Sequence, residues 1–139
     1  MEVIRFKLVS KHVRRRFRSS KKLKNPELGL IIVCFSLQKA LSGLFLFMIY
    51  TVYILYSEKY DKIYIGYTSN LIERYKSHNE LAIKGYTIRY RPWVVVYCEY
   101  FTDKLAATKR EKALKSGQGR EWIRKQIELM YRSIGFISA

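Results

Sequence analysis

Tyr53, Tyr64, Arg74, His78 and Glu111 are, by residue type, a set that could hydrolyse a phosphodiester. Such a reaction needs a base to activate water and a cation to meet the charge that builds on the phosphate. It also needs a metal ion to hold the phosphate and the leaving group. Tyr53 and Tyr64 fall in adjacent runs that read as the two strands of a hairpin, so their rings can stand on one face. Arg74 and His78 lie one helical turn apart, on the same face as Leu71 and Tyr75. A cation buried there needs a partner or an anionic ligand. Glu111 sits on the apolar stripe of a later helix, with Ala107 four residues before it and Leu114 three after, flanked by Lys109, Lys112 and Lys115. A lone carboxylate can serve Mg²⁺ when water and phosphate fill the other positions. Each residue also has a plainer reading. Strand tyrosines ordinarily pack, an Arg and a His can snorkel from a half-exposed face, and a Glu among lysines can be a salt bridge. Type and spacing alone leave both readings open.

The elements that must position these residues begin near Met48. Ile49 to Tyr56 is β-branched and aromatic, which predicts a strand. Ser57 to Lys62 is a polar turn, and Ile63 to Tyr67 is the second strand. Asn70 with Glu73 three residues on has the form of a capping box, opening a helix over about 71–79. Residues 80–91 read as a loop rich in Tyr and Arg, ended by Pro92. Trp93 to Phe101 is the most strand-like run in the chain. Asp103 caps a helix to about Ser116, where Gly117 suits the C′ position. Trp122, Ile123, Ile127, Met130, Tyr131 and Ile134 keep helical spacing in a last helix. The order β-β-α-β-α-α predicts a compact α/β (α+β) domain over 48–135. The third strand must join the hairpin in one small sheet. Roughly 90 residues is enough to fold alone.

Residues 1–47 read differently. They hold eleven Lys/Arg and two Glu, a net of +9, against +7 for residues 48–139, within a total of +16. A basic run spans residues 11–24, Asn25-Pro26 breaks it, and Leu28 to Leu37 and Ala40 to Phe47 are apolar. A signal peptide would need a small-residue cleavage site that is not evident. A transmembrane helix needs about 20 unbroken apolar residues, and Gln38-Lys39 interrupt. A membrane anchor stays open, beside a basic nucleic-acid arm and a leader lying outside the native domain. The last is the working expectation, Met48 being an internal methionine just ahead of the first patterned strand.

The charge points to a polyanionic partner, DNA first, with RNA also open and a membrane surface second. A basic surface kept for solubility is the plainer alternative. In the domain, Arg89 and Arg91 around Tyr90, and Lys112 and Lys115 on the Glu111 helix, are candidates to grip a nucleic-acid backbone. Cys34 and Cys98 cannot form a tetrahedral metal site by themselves. They read as buried thiols in a reducing compartment, and a cytoplasmic location is expected.

Thr51-Val52-Tyr53, then Tyr64-Ile65-Gly66-Tyr67-Thr68, then Asn70-Leu71, Arg74 and His78-Asn79, together resemble the GIY-YIG nuclease domain. Arg110-Glu111-Lys112 and the run from Lys115 to Trp122 are similar to its small stand-alone bacterial branch, itself similar to the excinuclease C amino-terminal domain. The resemblance covers roughly Met48 to Tyr131. It implies a three-stranded antiparallel sheet flanked by helices. It also implies a metal-dependent endonuclease that hydrolyses DNA, structure-specific in repair or recombination. Tyr64 would act as general base or orient the attacking water, and Tyr53 would help place phosphate or water. Arg74 would stabilise the transition state, His78 would assist proton transfer, and Glu111 would hold a single Mg²⁺ or Mn²⁺. The first motif here reads Thr-Val-Tyr, Tyr67 follows the second motif where some members carry lysine, and no Asn follows Glu111. A nucleic-acid-binding module without cleavage is the alternative on the same fold.

Overall fold

In a computed structural model, residues 4–6, 36, 38–40, 43 and 48–133 are described. Strand β1 is Ile4–Phe6, β2 is Tyr50–Ser57, β3 is Lys62–Thr68 and β4 is Val94–Phe101. Helix α1 is Leu71–Lys76, α2 is Lys104–Lys115 and α3 is Gly117–Ser133. The three expected strands form one antiparallel sheet, with β2 central between β3 and β4. The short β1 adds a fourth strand on the outer edge of β4, with Arg5 opposite Glu99. A three-residue strand has no period to read, so its pairing is not visible in the local sequence.

Residues 1–47 were expected to stand apart, and two parts of them meet the domain. One is β1. The other is Gln38, which is buried against the start of α1. Its Nε2 donates to the Ser69 carbonyl at 2.7 Å, and its Oε1 accepts from the Leu71 amide at 2.9 Å. It thus satisfies one of the amides that a helix start leaves open. The basic run over 11–24 and the apolar run from Leu28 lie outside the described residues, apart from Ser36. So do Cys34 and Ile134.

Both faces of the sheet are covered. One carries Val52, Ile54, Ile65, Val96, Tyr97 and Phe101, packed against Ala107 and Leu114 of α2 and Ile123 and Ile127 of α3. The other carries Tyr53, Leu55, Val95, Cys98 and Tyr100, packed with Trp93 and Leu71 of α1. The β2–β4 register shifts between Ile54, which faces Tyr97, and Leu55, which faces Val95. Val96 is therefore an extra residue, a bulge that lets Val96 and Tyr97 turn to the same side.

Local chemistry sets the helix ends. The Asn70 side chain accepts from the Glu73 amide at 3.2 Å and donates to the Glu73 carboxylate at 3.1 Å, the expected capping pair. Asp103 accepts from the Leu105 and Ala106 amides at 3.2 and 2.8 Å. Gly117 is not a left-handed C′ residue as expected; it opens α3. Ser116 makes the corner in extended conformation, its hydroxyl donating to the Ala113 carbonyl at 2.7 Å and accepting from the Gly119 amide at 3.1 Å. Gly119 is needed for this close corner, because a Cβ there would sit 2.4 Å from the Ala113 carbonyl oxygen.

Candidate active site

Tyr53 lies at the centre of β2, with Gly66 of β3 directly opposite and Cys98 of β4 on its other side. A β-carbon on residue 66 would come within 2.7 Å of the Tyr53 hydroxyl and 3.2 Å of the Tyr64 ring. Glycine there opens the space into which the Tyr53 phenol turns. Tyr53 itself is only 1% exposed. Tyr64, two residues before Gly66 on the same strand face, is half-buried beside it, with ring centroids 6.3 Å apart.

The expected helix over 71–79 continues to Leu81, but its last five residues, Ser77–Leu81, form a π turn. The wider turn leaves carbonyls in need of donors. Arg91 supplies them, with Nε bonding the His78 carbonyl at 2.6 Å and one Nη bonding Ser77 and Ala82 at 3.3 and 2.8 Å. Arg91, expected to grip a polyanion, is thus committed to holding this turn. The loop expected over 80–91 contains a 3₁₀ helix, Tyr86–Tyr90. Gly85 leads into it at φ 118°, a conformation that favours glycine. Asn79 and Trp93 exchange two bonds, 2.7 and 3.0 Å, which pin the π turn to the start of β4.

These elements bring four of the expected side chains together. Arg74 Nε is 3.4 Å from the Tyr53 hydroxyl, which is 2.9 Å from His78 Nε2. His78 Nδ1 is 3.1 Å from Thr87 Oγ1. The His78 ring also packs on Tyr64, with centroids 4.6 Å apart. A guanidinium can only donate, so Tyr53 accepts from Arg74, and its own hydrogen is available to His78 Nε2. In the tautomer that accepts it, the imidazole hydrogen sits on Nδ1 and faces Thr87 Oγ1. Arg74, Tyr53, His78 and Thr87 thus form one continuous line of hydrogen bonds. Thr87 escaped the sequence reading, because the 3₁₀ helix that carries it shows no periodic pattern.

The electrostatics agree with that order. Burial pushes the Tyr53 hydroxyl well above its ordinary range, outweighing the Arg74 bond that pulls it down, so Tyr53 keeps its proton. Burial first, and then the Arg74 and Arg91 charges, lower His78 to about 4, which leaves the imidazole neutral at pH 7. The bond to Tyr53 outweighs desolvation and raises the Arg74 pKa, and Tyr64 adds to it. Arg74 is itself exposed, so its cation reaches from solvent into the tyrosine pair.

Glu111 of α2 is close enough that its charge contributes to raising Tyr53. Its carboxylate is half-buried and bonded to Lys115 Nζ at 2.8 Å, so both the salt-bridge reading and a place near the tyrosines hold. Among the described residues no cluster of three or more His, Cys, Asp or Glu could hold a metal ion. A divalent ion at Glu111 would therefore have one protein carboxylate, a donor set that suits Mg²⁺ with water and phosphate completing its shell. Lys112 is exposed on α2 and Arg89 is exposed on the 3₁₀ helix.

A second polar cluster was not anticipated. Glu99 is fully buried in β4 and binds Arg110 through two bonds of 2.6 and 3.1 Å, while the Tyr97 hydroxyl donates to it at 2.5 Å. One carboxylate within the apolar run Val-Val-Val-Tyr-Cys-Glu-Tyr-Phe was its only sequence signal. It ties β4 to α2 at the residue next to Glu111.

Residues 49–125 match the model of the GIY-YIG catalytic domain. A UPF0213 protein of Staphylococcus haemolyticus is 40% identical over 58 residues, which is 42% of this chain and 71% of that protein. A UPF0213 protein of Clostridium perfringens is 41% identical over 64 residues, 46% of this chain and 68% of that protein. The matched span holds Tyr53, Tyr64, Arg74, His78 and Glu111 together, and the chain belongs to the GIY-YIG catalytic-domain family, a nuclease fold.

Proposed function

We propose that this protein is a metal-dependent endonuclease that hydrolyses phosphodiester bonds of DNA, with a structure-specific role in repair or recombination. The observation that carries the reading is the convergence of the exposed Arg74 cation, the buried Tyr53 hydroxyl and the half-buried Tyr64 around one opening made by Gly66. In this reading Tyr64, half-buried at the opening, orients the attacking water through its hydroxyl. Tyr53 keeps its own proton and acts as a fixed hydrogen-bonding post. His78, neutral and buried, is a positioning residue that aims the Tyr53 hydroxyl. Arg74 meets the negative charge that grows on the phosphate, which is the dominant need of such a transition state. Glu111 would hold Mg²⁺ or Mn²⁺, and that ion would supply Lewis-acid charge at the phosphate. Lys112 and Arg89 add backbone contacts outside the centre.

The Lys115–Glu111 pair favours a second reading, a nucleic-acid-binding module without cleavage, since the one candidate carboxylate already has a cation. The two separate when the full chain is incubated with branched, nicked and plain duplex DNA in Mg²⁺, Mn²⁺ or EDTA. Products that need metal and vanish in Glu111→Ala support the nuclease. Binding without products, unchanged in Glu111→Ala, supports the module and overturns the enzyme.

A further inference from the structure

The turn between β2 and β3 and the 3₁₀ helix bring three tyrosines together at the surface. The Tyr60 and Tyr90 centroids are 5.6 Å apart at 73°, and Tyr86 and Tyr90 are 4.7 Å apart at 52°. Tyr90 is half-buried between its neighbours, while Tyr60 is 39% and Tyr86 50% exposed. Cations edge the cluster. Lys59 Nζ lies 5.3 Å from the Tyr60 centroid, and Lys62 Nζ lies 6.0 Å from that of Tyr90. Arg89, in the same helix, is exposed. The 3₁₀ helix carries no acidic side chain, and of the two in the turn, Glu58 and Asp61, the second is paired with Arg124 at 3.2 Å.

The cluster is continuous with the active site. Tyr86 packs toward Trp93 with centroids 6.5 Å apart, and Trp93 toward Tyr64 at 6.3 Å. The Trp93 indole donates to the Thr87 carbonyl at 2.7 Å, and the Thr87 side chain holds His78. One short helix therefore carries both the Thr87 contact to His78 and two of the three rings, Tyr86 and Tyr90.

Exposed aromatic faces edged by lysines fit a strand whose bases are unstacked and whose phosphates are close by. Every base has a π face, so stacking of this kind tolerates any sequence. Paired bases inside a duplex present no such face, and a duplex can meet this patch only through its phosphates. We infer that Tyr60, Tyr86 and Tyr90, with Lys59 and Lys62, form a stacking platform for unpaired DNA bases beside the active site. This deepens the nuclease reading and rests on it for one point, that the bound strand leads to the bond to be cut. The substrate class is then DNA with a single-stranded segment adjoining the scissile phosphate.

The test is binding, measured by fluorescence anisotropy in EDTA so that cleavage plays no part. Labelled oligo-dT and a blunt duplex are titrated with the full chain, with Tyr60→Ala/Tyr86→Ala and with Tyr60→Phe/Tyr86→Phe. The platform predicts that the alanine pair weakens oligo-dT binding by roughly tenfold or more. Duplex affinity should stay within about twofold, and the phenylalanine pair should bind oligo-dT like the parent, because the ring is what stacks. Should the alanine pair fail to fold, Tyr86→Leu alone carries the same expectation, since it keeps apolar bulk and loses the ring. Oligo-dT binding unchanged by alanine or leucine, or duplex binding lost in equal measure, overturns the proposal. Loss of cleavage in Glu111→Ala, or no cleavage by any variant, bears on the nuclease reading and leaves this result intact.

Discussion

The hydroxyl of Tyr53 is held from two sides, by Arg74 and by His78, and the second contact makes the protein sensitive to acid. His78 is buried and takes up a proton only near pH 4, against an ordinary value of 6.5. Between those values the unfolded chain binds more protons than the folded one, so stability falls as pH falls through this window. The loss should reach about 3 kcal/mol near pH 4 from this group alone. Chemical denaturation from pH 7 to pH 4 measures it, and His78→Gln should flatten the curve in that window. Arg74 makes the opposite forecast. Its side chain is exposed, so Arg74→Ala should leave the melting transition almost in place while single-turnover cleavage drops by about 10²–10³. Tyr53 with Tyr64, and Arg74 with His78, were legible as pairs because strand pairing and helical spacing are local rules, and the resemblance to the nuclease domain joined the two pairs. Thr87 and the true job of Arg91 were not, since both depend on a π turn whose open carbonyls and shifted ring appear only once the chain is folded.

At the scale of elements, the strands and the capped helices follow from runs of β-branched and aromatic residues and from Asn70 and Asp103. What the sequence hid were the junctions: the bulge at Val96, the π turn and the Ser116 corner, each a single irregularity within an otherwise periodic run. Gly66 is where β2 and β3 meet the chemistry. Gly66→Ala drives a methyl into the Tyr53 phenol, which is walled in and cannot swing aside. The variant should lose about 1–3 kcal/mol of stability and cleave poorly, read by thermal melts beside cleavage rates. The Glu99–Arg110 pair tying β4 to α2 is asymmetric, with the Arg110 side chain 31% exposed and Glu99 at 0%. Arg110→Met takes the guanidinium from a buried carboxylate and should cost about 3–5 kcal/mol. Glu99→Gln leaves a cation with access to water and should cost less. Urea denaturation of the two variants compares them, and an equal or reversed order would count against the pair as described.

Across the whole molecule, a sheet covered on both faces leaves the β3 side and the 3₁₀ helix to present the chemistry and the exposed rings. The leader touches this body through β1 and through Gln38, contacts that span 31 and 33 residues in the case of Gln38 and that no local pattern encodes. Gln38→Ala removes a bond to a buried amide at the start of α1 and should cost on the order of 1 kcal/mol in thermal or urea unfolding. Among the described residues no helix is long and apolar enough to cross a membrane. The positive charge still carries its original message about polyanions, now with an aromatic surface and a catalytic-domain family to receive it. The central claim is that Tyr64 performs the chemistry in a centre otherwise held ready by Tyr53, His78 and Arg74. The most direct measurement is single-turnover cleavage of a branched DNA by the full chain in Mn²⁺, at saturating protein, comparing the parent with Tyr64→Phe. The account predicts that Tyr64→Phe binds the DNA with unchanged affinity and cuts it at least about a hundredfold more slowly. Equal rates in the two proteins would contradict it.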